Sequence, residues 1–556
     1  MKRICILSAI GLHEGAFEKV FNEKSAIVLS YEWAKNLDAV EAICILSDRP
    51  ESSFSFLEKT ENTSFVYKEK WTEKKLLESF FTCAEEKDAK TIIYAWADCP
   101  FLQKDLSKSL LDLHEDSLSS YCFAEAFPLG LAPEIIDIDA VSLLLGLEQL
   151  KEAESAVKNT RADKEEKIVA ISRDLLFSLI KKDINAFEIE TYISDTDMRP
   201  WRLAFSVDSK RNLVSTKSLW KGILDSGFRE TENSVSEIGF EKILSLSTDI
   251  SVLHSLPAYY SIQIASSCAG SCLFCPYPTA HFGRFRKNPQ EAFYDNSAQF
   301  MKKEDFTAIL DAILSFSEDA LISLSLWGEA LHHPELLFFI EETLKHPSLS
   351  LLIETTSYSI SEDFIQSISQ IIEKSPQRQT AYQAVYWILG LDARSPDLYE
   401  KLHGTGFSLE QAEKNYMLLE KAFPHSTYVQ FLRIQENEAE LEAFIRYWRE
   451  KTDKTIIQKY NSFSGYLDEK SVLDLAPLER NPCWHLRRDM HIFLDGSVPL
   501  CHSVVPYEKT EYILGNILSD NIETIWQKKK EAYGRHLENR LQKICEKCDE
   551  YYTYNF

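Results

Sequence analysis

The sequence has no run of about 18 uncharged apolar residues, the length a membrane-spanning helix needs. Its opening, MKRICILSAIGLHEGAF, holds only a short apolar stretch with no small-residue cleavage site before Glu14. From these absences the expectation is a cytoplasmic protein with no membrane span, no secretory signal and no membrane partner. Positive charge is also scarce: 61 lysines and arginines face 86 aspartates and glutamates, a formal charge of −25. Sequence-independent nucleic-acid binding rests on basic side chains displacing counterions from phosphates, so no nucleic-acid partner is expected. Lys528–Lys530, a local exception, reads as the solvated end of a helix. Internal repeats and low-complexity segments are missing as well.

What is present is long and unevenly furnished. At roughly 150 residues per domain, 556 residues imply three or four domains, and 45% apolar residues suffice for packed interiors. Seven of the twelve cysteines fall in two groups, Cys268/Cys272/Cys275 and Cys483/Cys501/Cys545/Cys548. Without a secretion signal, grouped cysteines read as metal ligands rather than disulfides. Cys5, Cys44, Cys83, Cys99 and Cys122 are scattered and read as small buried apolar residues.

The first group follows an alternating segment, Ser261–Ser267, and has three and then two residues between its cysteines. Three thiolates at this spacing can hold three corners of a cubane cluster and leave the fourth iron open to a small molecule. A zinc knuckle needs four ligands, and the nearest candidate for the fourth is His281, six residues on. With Phe274 just before the last cysteine, the pattern resembles the radical SAM superfamily. That resemblance implies a [4Fe-4S] cluster whose open iron binds S-adenosylmethionine, one-electron cleavage to a 5′-deoxyadenosyl radical, and a reductase or a flavodoxin- or ferredoxin-type electron donor.

From 256 to 460, strand and helix patterns alternate: LISLSL at Leu321–Leu326 before a helix from Pro334, LLIET at Leu351–Thr355 before a helix from Ser361, YWILGLD at Tyr386–Asp392 before a helix over Ser408–Ala422, then TYVQFLR, Glu438–Arg449 and TIIQKY. Counting the strand before Cys268 gives six β/α units, which match the partial (β/α)6 barrel of that superfamily. The resemblance places Phe274 by the cofactor, Gly328 and Glu329 at the amino group of S-adenosylmethionine, Thr355 and Ser357 at its ribose, and Arg433 at its carboxylate. It makes Asp392 the candidate catalytic residue facing substrate. His332, His333 and His403 read as structural or surface residues.

The first 235 residues also alternate β-rich and helical runs, ICILSAI, Ala26–Asn36, AICILS and Thr91–Ala97, which predicts a doubly wound, mostly parallel sheet. Asp98 ends one strand, and a strand over Arg202–Val207 leads to Asp208. With Pro128–Glu134 between them, this order resembles the nucleotide-sugar-forming cytidylyltransferases and implies Mg²⁺ on Asp98 and Asp208. Where that family has a glycine- and arginine-containing triphosphate loop, this chain reads Gly11–Lys19 with no arginine and two glutamates, which implies lost nucleotidyl transfer. Lys151–Lys167 reads as an exposed charged helix, and periodicity weakens over Thr231–Pro257.

Residues 475–556 carry the second cysteine group, with a turn at Asp495-Gly496 expected to fold a hairpin that joins Cys483 and Cys501. The spacing, with Gly515 and Trp526 between, resembles the SPASM domain and implies an auxiliary [4Fe-4S] cluster on Cys483, Cys501, Cys545 and Cys548. A structural zinc fits the same spacing. The three parts together, an α/β chain of nucleotidyltransferase-like domain (1–235), radical SAM core (256–460) and SPASM domain (475–556), resemble the spirochaetal spiro-SPASM proteins. The expected function is hydrogen abstraction from a peptide or a nucleotide-linked sugar. The alternatives are cytidylyltransferase-type transfer by the first domain and a non-catalytic iron–sulfur redox sensor.

Overall fold

The computed structural model describes residues 2–147, 171–229, 234–268, 270–277, 299–356, 360–380, 382–474, 477–506, 510–548 and 550–552. His281, Ser357 and the expected helix at Lys151–Lys167 lie outside the described residues. The chain divides into two compact units, Met1–Ser255 and Leu256–Phe556.

The first unit is built on seven strands: β1 (Arg3–Ala9), β2 (Val40–Ser47), β3 (Thr63–Tyr67), β4 (Thr91–Trp96), β5 (Tyr121–Glu125), β6 (Glu134–Asp137) and β7 (Ile189–Ile193). Their order is β3-β2-β1-β4-β6-β5-β7. The runs ICILSA and TIIYAW are continuously apolar because alternate residues feed two cores. Ile4, Ile6 and Ile92 enter one, and Cys5, Leu7 and Ile93 the other. Pairing is parallel except at β6, which runs antiparallel to β4 and β5, so the sheet is mixed. The expected strand over Arg202–Val207 does not join it. Arg202 sits at φ 42°, and the segment after it makes only an isolated bridge from Ala204 to Leu129. Its end is tied to the site instead, since the Val207 N–H donates to the Asp98 carbonyl at 2.9 Å.

The second unit has a fully parallel sheet of β8 (Tyr259–Ile262), β9 (Ala320–Ser323), β10 (Leu349–Thr355), β11 (Val385–Gly390), β12 (Thr427–Arg433), β13 (Thr455–Lys459) and β14 (Asp489–Ile492), ordered β13-β12-β11-β10-β9-β8-β14. Six of these are the expected strands. The seventh, β14, comes from the cysteine-rich end of the chain and pairs with β8. One core lies between strands and helices, where Leu351, Ile353, Trp387 and Leu389 meet Phe339 and Tyr416. A smaller inner layer joins Leu321, Leu352 and Ile388 to Tyr259, Tyr386 and Tyr428. Helices start where their serine caps stand: Ser361 Oγ accepts from Phe364 N, and Ser408 Oγ from Gln411 N. The turn at Asp495-Gly496 forms, with Gly496 at φ 83°. The chain closes back across it, Phe493 N–H donating to Ser497 O at 2.8 Å, and the strand after it, β15 (Ser497–Pro499), pairs antiparallel with β16 (Ile513–Asn516). Among the described residues no helix is long and apolar enough to cross a membrane.

Candidate metal and cofactor centre

The first cysteine group leaves the end of β8 in a loop held from two sides. Glu329 N–H donates to Ser267 O at 2.7 Å, and His332 Nδ1 lies 3.3 Å from Ser267 Oγ. Gly328, at φ 78°, permits this approach, because a Cβ there would stand 2.2 Å from Ala265 O. A Cβ on Gly270 would lie 3.2 Å from Cys272 Sγ and 3.7 Å from Cys268 Sγ, so the sulfurs close around a glycine. Burial pushes the Cys268 thiol up to about 12 and Cys275 to about 11, and raises Cys272 further. Such thiols give up their protons to a bound cation rather than to water.

Among the described residues, the set of three His, Cys, Asp or Glu ligand atoms within 4.8 Å of one another is His485, His502 and Glu550, and neither cysteine group is that tight.

Glu329 faces Cys268 closely enough that its charge raises the thiol. Its carboxylate accepts from Leu331 N at 3.2 Å, Thr355 Oγ1 at 3.1 Å and Thr356 N at 3.5 Å, while burial holds its pKa above the usual carboxylate range. Gly328, Glu329 and Thr355 are thus brought together beside the cysteines. Trp327 stacks on Tyr277 at 5.8 Å, and its buried Nε1–H has no partner among the described residues.

Other expected residues stand differently. Arg433 closes its fork on Glu438 at 2.7 and 2.6 Å and lines a cavity of about 420 Å³ with Lys459, Glu469, Asp474 and Lys547. Asp392 is buried and has no free carboxylate: Oδ1 accepts from Leu432 N at 2.6 Å, and Oδ2 lies 3.0 Å from His403 Nε2. Phe274 packs edge-on against His403. His333 is structural, with Nε2 on Met301 O at 3.0 Å, but His403 reaches Cys272, with Nδ1 3.5 Å from Sγ. The expectation of a surface or merely structural His403 is corrected accordingly.

The second group lines one enclosed cavity with His485, His502 and His536. Cys483 caps the helix Trp484–Arg488, and Cys501 follows β15. His485 Nδ1 is held by Asp489 at 2.5 Å. Lys529 is not solvated as expected: it is 1% exposed, donates to Asp489 O, and burial lowers it to about 8. Sequence reasoning missed it because a lysine run on a helix reads as a charged face, although Lys529 falls on the face of Ile525 and Trp526. Glu354, on the inward face of β10 and pushed up to about 7 by burial, was also missed, its strand reading as apolar.

In the first unit Asp98 and Asp208 do come together, but around an arginine. Arg173 Nη1 and Nη2 donate to Asp98 at 3.1 and 2.5 Å, and Nε pairs with Asp208 at 3.0 Å. The guanidinium also lies over Trp96, 4.6 Å from the ring centroid. Magnesium takes carboxylate oxygens together with waters and phosphates, and here the carboxylates are committed to a resident cation. The loop after β1 is committed too: Gly11 N–H donates to Asp48 at 3.0 Å, and Arg49 pairs with Glu14 at 2.7 Å. The pair therefore does not fit the expected Mg²⁺.

An uncharacterized protein of Treponema pallidum (strain Nichols) is 33% identical over 386 residues, 68% of this chain and 98% of that protein. The chain belongs to that protein's family. Residues 483–549 match the SPASM family, described as an iron–sulfur cluster-binding domain, so the second cysteine group lies in such a domain. Streptococcus suis SuiB bound to precursor peptide SuiA is 12% identical, covers 70% of this chain and 78% of its own, and has a TM-score of 0.37. A cytidylyltransferase from Leptospira borgpetersenii is 14% identical, covers 44% of this chain and 94% of its own, with a TM-score of 0.33. Overlaps this loose decide nothing about activity.

Proposed function

We propose that this chain is a radical S-adenosylmethionine enzyme that abstracts a hydrogen atom from a peptide substrate, with Cys268, Cys272 and Cys275 holding the reactive cluster and the SPASM cysteines an auxiliary one. What supports this reading is that three cysteine thiols, Glu329 and Thr355 converge at the ends of parallel strands, where such folds bind ligands. A cubane cluster with an open iron supplies the electron that cleaves the sulfonium. Glu329 takes the ammonium of the cofactor, since an ammonium only donates and a buried carboxylate needs a cation to stay ionised. Gly328 brings that carboxylate against the loop, and Trp327 with Tyr277 narrows the entrance. The cavity of about 420 Å³ that includes Lys547, between Cys545 and Cys548, is the place for substrate, within reach of the auxiliary site. The peptide reading rests on the SPASM match. Nucleotidyl transfer loses its support because Arg173 occupies the acidic pair.

The test is anaerobic reconstitution with iron, sulfide and a chemical reductant, followed by assay of 5′-deoxyadenosine. The full chain is expected to form it, and Cys272→Ser to lower it at least about a hundredfold. A fully loaded, reduced chain that forms none overturns the reading in favour of a redox sensor.

A further inference from the structure

Cys272 has a side-chain nitrogen donor beside it, where Cys268 and Cys275 meet the backbone N–H groups of Gly270 and Tyr277. The donor belongs to His403, the last residue of the helix Pro396–His403. That helix is bolted to the cysteine loop through its final carbonyls: Ser271 N–H donates to His403 O at 2.9 Å, and Leu273 N–H to Leu402 O at 3.0 Å. Gly404 makes the contact possible, since a Cβ there would stand 2.5 Å from Ser271 Oγ. The imidazole has little freedom to swing. It is 1% exposed and packed by Tyr399 at 4.4 Å and Phe274 at 5.5 Å between centroids.

Behind the ring stands Asp392. Its Oδ2 lies 3.0 Å from His403 Nε2 but out of line for a directed hydrogen bond. Asp392 adopts φ 52°, a left-handed conformation that a buried non-glycine residue keeps only when its surroundings enforce it. They do: Leu432 N–H binds Oδ1 at 2.6 Å, and Asn437 Nδ2 binds its carbonyl at 2.9 Å. With Cys272 as a thiolate, Nδ1 faces an acceptor and is the ring nitrogen placed to donate to it.

We infer that His403, held by Asp392, is a positioning residue that donates through Nδ1 to the Cys272 thiolate and thereby raises the reduction potential of the cluster Cys272 anchors. This deepens the function proposed above and rests on it. The step is a one-electron reduction, [4Fe-4S]²⁺ to [4Fe-4S]⁺, with the electron supplied by an added chemical reductant and no bond made or broken. A donor aimed at the sulfur stabilises the more negative, reduced form more than the oxidised one.

The experiment is a potentiometric titration of the reconstituted full chain, read on the electron paramagnetic resonance signal that shifts when S-adenosylmethionine is added, with iron and sulfide measured first. In His403→Phe, which keeps a ring but no N–H, the reduced fraction at a fixed potential should fall about tenfold, equivalent to about 59 mV for one electron. His403→Gln, whose amide sits at the Nε2 place and cannot serve Cys272, should follow it. His403→Asn, whose amide nitrogen sits at the Nδ1 place, should stay within about threefold of wild type. Loaded Phe and Gln variants that titrate as wild type overturn the inference, as does an Asn variant that falls with them. Loss of the cluster from all three overturns it too, since His403 would then hold the loop rather than tune it. A wild-type chain with no S-adenosylmethionine-responsive signal is a different result, and it removes the radical reading together with this one.

Discussion

A single guanidinium decides what the first unit can do. Asp98 is fully buried and Asp208 partly exposed, and two carboxylates this close repel unless a cation lies between them. A divalent ion would do this and leave coordination sites for phosphate. Arg173 does it with three N–H groups and leaves none, and its stacking on Trp96 fixes the plane of the fork. Arg173→Ala should therefore open a site that wild type lacks. Mn²⁺ binding, followed by loss of the free-ion resonance signal, is expected to tighten at least about tenfold, and Asp208→Asn in the same background should abolish the gain. Wild-type chain that binds Mn²⁺ in an Asp98-dependent way would restore the metal site.

The strands of the second unit show how an element carries a charge it would shed if packing alone mattered. Along β10, Leu351, Ile353 and Thr355 alternate with Leu352 and Glu354, so Glu354 falls on the face that Leu352 gives to the inner layer. Burial pushes its pKa from 4.5 to about 7. From about pH 4.5 upward the unfolded chain has lost a proton that the folded chain keeps, so stability falls with rising pH until about 7 and is flat beyond. Glu354→Gln should flatten that slope and stabilise the chain by about 1–3 kcal/mol near pH 8, after discounting for partial exposure. Chemical denaturation at several pH values would check it, and an unchanged slope would place the carboxyl in water. Residues like this explain where sequence reading stops. The six parallel strands and the Ser361 and Ser408 caps were legible because period-two apolar runs and serine caps are local signals. The nearness of Gly328, Glu329 and Thr355 to the first cysteines also follows their order along the chain, while their role at the cofactor belongs to the proposal. The Cys272 contact of His403 was not legible, since 131 residues separate the partners. Nor was Arg173, which lies 75 residues from Asp98 and meets it only through the fold.

At the scale of the molecule, the cysteine-rich end is part of the second unit's own sheet. β14 adds to the edge of β8 from Tyr259↔Asp489 to Ile262↔Ile492, and His491 Nδ1 lies 2.8 Å from Ser261 Oγ on the strand that delivers the first cysteines. Met490, Ile492, Val498, Ile517, Ile525 and Trp526 all enter the hydrophobic core that the strands and helices of the second unit share. At about 1.5–3 kcal/mol for each large apolar side chain, their removal forfeits roughly 10 kcal/mol, comparable to the whole stability of a domain. It also bares the edge of β8 to pairing with another chain. A chain of residues 256–556 should therefore fold, unfold cooperatively and take up iron without the first unit, whose cores are its own. A chain ending at 480 should aggregate and hold no cluster, even though it keeps Cys268, Cys272, Cys275 and the six strands that carry Glu329 and Thr355. Cooperative unfolding of the shorter chain, with iron bound at its first cysteine group, would show that β14 only decorates a barrel already complete.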